Sequence, residues 1–85
     1  MNTRVFIVIP AFNEEKNIGN VLTDLLSAGY SNIIVIDDCS EDNTNQVVSS
    51  FPVYLLKHAV NRGQGAALKT GIDCALQNDA EIIVT

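Results

Sequence analysis

Residues 32–44, "NIIVIDDCSEDNT", set four apolar side chains, Ile33 to Ile36, directly against two adjacent aspartates, Asp37 and Asp38. A continuous apolar run rich in β-branched residues is the mark of a strand buried on both faces, as a parallel sheet requires. This one ends on two like charges, whose repulsion grows as their surroundings become drier. Successive strand residues point to opposite faces, so the two carboxylates need not face each other. One can order the turn by accepting backbone N–H groups while the other faces a crevice. Alternatively, both simply cap the turn, as Asp often does.

The same figure recurs on either side. Upstream, "RVFIVIP" (residues 4–10) is a second β-branched run, stopped by Pro10. Between the two, Ile18, Val21, Leu22, Leu25 and Leu26 fall at helical spacing and predict one apolar helix face. Asn13 suits the cap of that helix, Glu14 and Glu15 the positive end of its dipole, and Gly29 its stop. Downstream, a short helix is expected with Val47, Val48 and Phe51 inward, broken by Pro52. "VYLLKH" (53–58) then reads as a third strand, and "NRGQG" (61–65) opens a third helix reaching about Gln77. Its inward residues are expected to be Leu68, Ile72, Ala75 and Leu76, and "EIIVT" (81–85) begins a fourth strand. The alternation predicts an α/β fold, a Rossmann-like three-layer parallel sheet of order βαβαβαβ within one small domain spanning residues 1–85.

Composition narrows the function. With 85 residues the chain can bury only a thin core, yet 47% hydrophobic residues make it globular. Net charge is −5, and the five cations Arg4, Lys16, Lys57, Arg62 and Lys69 are scattered, so no basic stripe for nucleic acid forms. Cys39 and Cys74 lack metal-ligand or disulfide-framework spacing and read as reduced thiols. The longest apolar runs are about five residues, well short of the roughly 18 that span a bilayer. No signal peptide is expected before the first strand, and the chain reads as cytoplasmic, with the inner face of a membrane as a further location.

In open parallel sheets ligands bind beyond the carboxyl ends of the strands. There the chain places "PAFNE" (10–14), "DDCSED" (37–42) and "NRGQG". Phe12 in a polar loop offers a stacking face for a planar base, or else packs into the core. "NRGQG" is either a helix N-terminus suited to an anion, with Arg62 beside it, or a tight turn needing glycine. His58 reads as a solvated strand-end histidine.

Taken together, "VIPAFNEE" (8–15), "VIDDCSEDNT" (35–44) and "NRGQGAALKTGI" (61–72) resemble the start of a family 2 inverting glycosyltransferase of the GT-A fold. The likeness is to the branch of dolichyl-phosphate mannose synthase and the bacterial polyprenyl-phosphate sugar transferases. It covers nearly the whole chain, in order and at the expected spacing, as the N-terminal nucleotide-binding half of the fold.

The resemblance implies that Pro10 and Phe12 flank the base of a GDP- or UDP-sugar donor, with Glu14 by the ribose. Asp38 would accept from the base, Ile36 would add a backbone contact, and Asp37 would order the loop. It also implies an acceptor such as polyprenyl phosphate, and Mg²⁺ or Mn²⁺ held by an Asp-x-Asp beyond Thr85. No catalytic residue or metal ligand is assigned within the 85 residues, which alone are expected to transfer no sugar. Self-association through the last strand is expected. Two other readings are a non-catalytic nucleotide-binding or interaction fragment and, less well matched, a phosphoacceptor receiver domain.

Overall fold

A computed structural model describes residues 3–85. Its elements are β1 (Val5–Ala11), α1 (Ile18–Ser27), β2 (Ile33–Asp37), α2 (Thr44–Ser49), β3 (Tyr54–Lys57), α3 (Gln64–Gln77) and β4 (Ile82–Val84). The strands form one parallel sheet of order β3-β2-β1-β4. The doubly buried runs are its two central strands, which is why they carry no polar alternation.

Side-chain alternation divides the core in two. Ile7, Ala11, Ile33 and Val35 meet Ile18 and Leu22 of α1 and Val48 of α2. Phe6, Val8, Ile34 and Ile36 meet Ala67 and Ala75 of α3 on the other face. Helices therefore cover both sides of the sheet, giving the expected three layers.

Three local expectations are corrected. Asn13 does not cap α1, which begins only at Ile18 and has no acidic residue in its first turn. Instead Asn13 sits at φ 54°, donates its N–H to Ser40 Oγ (2.9 Å) and accepts the Glu41 N–H on Oδ1 (2.9 Å). Partners from the β2–α2 loop outcompete the local cap. The other end of α1 follows expectation: Gly29 adopts φ 97°, with Gly29 N–H to Leu26 O and Tyr30 N–H to Leu25 O, which is the Schellman pattern.

The inward face of α3 is the second correction. Ala67, Gly71 and Ala75 are buried, while Leu76 is 58% exposed. A Cβ at Gly71 would lie under 3 Å from side-chain atoms of both Val8 and Ile36, so the helix backbone rests almost directly on the sheet. So narrow a gap admits small residues at i, i+4 and i+8 and turns the large Leu76 outward. The third correction concerns His58, which is buried rather than solvated.

Candidate functional site

Three loops meet at the carboxyl ends of β1, β2 and β3. Alternation along β2 sends Asp37 to the α1/α2 side and Asp38 to the α3 side, so the adjacent charges are separated by the sheet plane. Asp37, 1% exposed, accepts the Ser40 N–H on Oδ1 (3.0 Å) and so shapes the turn after its strand.

That turn is fastened to the β1–α1 loop by the Asn13 bonds and by two more. Glu14 N–H reaches Thr44 Oγ1 (2.8 Å), and Glu15 N–H reaches Asp42 Oδ2 (3.2 Å). Asp42 Oδ1 in turn accepts the Thr44 N–H and hydroxyl. Burial pushes the Asp42 carboxyl up, but the Thr44 donors and the Glu15 N–H more than offset this and hold it below its ordinary value. Phe12 stands on this braced rim, 43% exposed.

Asp38 organises the third loop. Its carboxylate, in a residue 3% exposed, accepts the Arg62 N–H (2.9 Å) and His58 Nδ1 (2.7 Å) on Oδ1, and the Gly63 N–H (2.7 Å) on Oδ2. Asn61 Nδ2 also donates to the Asp38 carbonyl at 3.2 Å. The Arg62 N–H is the largest influence holding the carboxyl below its ordinary value. Burial opposes it, and His58 and the Gly63 N–H add to the lowering. The anion served by the donors leading into α3 is thus internal: it is Asp38.

His58 continues the chain, its Nε2 lying 2.9 Å from Thr70 Oγ1, which is itself 3.0 Å from Ala66 O. Nδ1 must carry a hydrogen, because an ionised carboxylate can only accept. A lone histidine after a short strand gave no local signal of this. The signal lay in strand register. Asp37 pairs with Lys57 across β2 and β3, which places the next residues, Asp38 and His58, side by side.

Between these loops opens a cleft of about 480 Å³, within the usual range for small-molecule sites. Pro10, Phe12, Glu14 and Asp38 line it, together with Ala11, Asn61, Gly63, Gln64 and Ala67. Ile36 does not reach it: its side chain is fully buried in the α3-facing core, and its Cα pairs with that of Pro10. Ala11, Asn61 and Gln64 belong to the loop motifs expected at this edge, and Ala67 follows one of them, but small or neutral side chains carry no individual chemical mark in a sequence. Among the described residues no three of His, Cys, Asp and Glu are grouped to hold a metal ion, so these side chains do not fit the metal that the resemblance implies.

The model of the family described as Glycosyl transferase family 2 matches residues 6–85. Among curated proteins, the chain is 49% identical over 81 residues to an uncharacterized protein of Methanocaldococcus jannaschii, covering 95% of this chain and 33% of that one. It is 36% identical to the UDP-N-acetylglucosamine–dolichyl-phosphate N-acetylglucosaminyltransferase of Methanococcus voltae, covering 95% of this chain and 39% of that one. With the dolichyl-phosphate beta-glucosyltransferase of Dictyostelium discoideum the identity is 34%, over 87% of this chain and 28% of that one. The chain thus spans about a third of the length of these relatives. Among solved structures, S. aureus TarS (residues 1–349, in complex with UDP) superposes with TM-score 0.82 at 23% identity, over 95% of this chain and 26% of that one. This likeness shows a shared fold.

Proposed function

The chain belongs to glycosyl transferase family 2, and on that premise we propose that its cleft holds the nucleotide of a sugar donor. The observation carrying this reading is one cleft at the strand ends lined by an exposed aromatic ring, Phe12, and two carboxylates, Glu14 and Asp38. In it Pro10 and Phe12 flank the base, Glu14 lies by the ribose, and Asp38 accepts an N–H of the base.

The whole protein, on this reading, transfers the sugar to an acceptor. The names of the M. voltae and D. discoideum relatives support a dolichyl or similar polyprenyl phosphate. A phosphate acceptor is already ionised at neutral pH and needs little help from a general base. A lipid acceptor would bring the protein to the cytoplasmic face of a membrane; among the described residues no helix is long and apolar enough to cross one. The Mg²⁺ or Mn²⁺ that would offset charge on the leaving diphosphate takes its ligands, in this proposal, from outside residues 1–85.

Phe12→Ala tests the reading. The ring stands on the rim, so its loss should leave the circular dichroism spectrum unchanged. It should weaken nucleoside diphosphate binding by calorimetry about tenfold, the scale of one lost base–aromatic stack. An unchanged affinity, or no nucleotide binding by the parent protein, would contradict it.

A further inference from the structure

An ionised carboxylate offers about four lone-pair sites, two on each oxygen. In Asp38 three are already taken by the protein. Oδ1 receives both the Arg62 N–H and the His58 Nδ1–H, and Oδ2 receives the Gly63 N–H. One site on Oδ2 is left for anything entering the cleft that Asp38 lines. Of the three internal donors, only His58 is a side chain, so only its contribution depends on residue identity.

We propose that His58 is a positioning residue that sets base specificity by closing Asp38 Oδ1, leaving the carboxylate able to take a single ligand N–H. The proposal rests on the reading of the cleft as a nucleotide site. Its chemistry separates two base edges. Guanine presents two adjacent donors, N1–H and the exocyclic amino group, which match a carboxylate with both oxygens open. Uracil presents one N–H between two carbonyl acceptors and needs only one acceptor. With Oδ1 closed, guanine would leave one donor desolvated and unpaired, whereas uracil would leave none. The contact of His58 Nε2 with Thr70 keeps the ring oriented, so that Nδ1 stays on Asp38.

Two variants separate this role from a merely structural one. His58→Phe keeps a ring of similar size and removes the donor. His58→Asn places an amide N–H near the position of Nδ1. Calorimetry with UDP and GDP should show the parent preferring UDP by about tenfold or more, the scale of one unpaired buried donor. His58→Phe should lose most of that preference, and His58→Asn should keep it.

A folded His58→Phe variant with the parent's preference would overturn the proposal while the nucleotide reading stands. So would a parent that binds GDP as tightly as UDP. A parent that binds neither would overturn both. A second measurement needs no variant: ¹⁵N NMR of the parent should show Nδ1 of His58 carrying its hydrogen with and without UDP. Its loss on adding UDP would overturn the proposal even if His58→Phe did not fold.

Discussion

Asp37 and Asp38 are neighbours in sequence, yet they serve different loops, and their substitutions should differ accordingly. Asp37→Ala leaves the Ser40 N–H without its acceptor and should lower stability by about 1 kcal/mol, with little effect on nucleotide binding. Equal losses of binding in both variants would contradict the division. Asp38→Asn should lower both, because an amide in that place sets its own NH₂ against one of the three donors. The pH dependence has a definite sign. The folded-state pKa of Asp38 lies below its ordinary value of 3.8, so the ionised group stabilises the fold fully above that pH. This contribution is lost as pH falls through the lower folded value. Parent and Asp38→Asn should therefore differ most in urea midpoint near neutrality and converge below about pH 3.8. A constant gap down to strong acid would contradict the bonding described. That the two side chains can point to opposite faces was legible in the sequence, because period-two alternation alone separates them. The His58 partnership was not, because it depends on how two strands twenty residues apart line up.

At the scale of elements, the order of strands and helices was readable wherever burial was complete. β1 and β2 declare themselves as unbroken apolar runs, and α1 as a helical stripe in which Ile18 and Leu22 are buried, although Val21, expected on the same face, is exposed. What escaped was whatever a neighbouring element decides. Asn13 carries every mark of a helix cap, but Ser40 and Glu41 claim both its N–H and its side-chain oxygen. In α3, periodicity pointed to Ala75, which is buried as expected, but also to Leu76, whereas close approach to the sheet selected Ala67 and Gly71 beside Ala75. Gly71→Ala measures that approach. In an exposed helix the change would gain up to about 1 kcal/mol of propensity. Here the added methyl meets Val8 and Ile36, and overpacking of this kind costs about 1–3 kcal/mol. The expected outcome is a lower melting temperature together with a disturbed cleft, since α3 begins at its edge. A raised melting temperature would show that the helix stands farther from the sheet.

Taken whole, the molecule presents a sheet whose last strand in order, β4, pairs with β1 on one side only among the described residues. Ile82 and Val84 of β4 and Leu76 of α3 are exposed. An unpaired apolar edge recruits further strands, so the 85-residue chain should self-associate at high micromolar concentration in sedimentation, and Val84→Lys should reduce this. A strictly monomeric parent would contradict the expectation. The cleft lies at the carboxyl ends of the strands, and a second depression lined by Thr3, Arg4, Tyr30 and Asn32 lies near the start of β1. Which of the two a nucleotide enters is therefore open to direct measurement. A ¹⁵N-labelled sample titrated with UDP should show backbone amide shifts concentrated at Phe12, Glu14, Asp38, Asn61 and Gly63. Shifts confined to Arg4, Tyr30 and Asn32, or absent at saturating UDP, would contradict the assignment of the cleft.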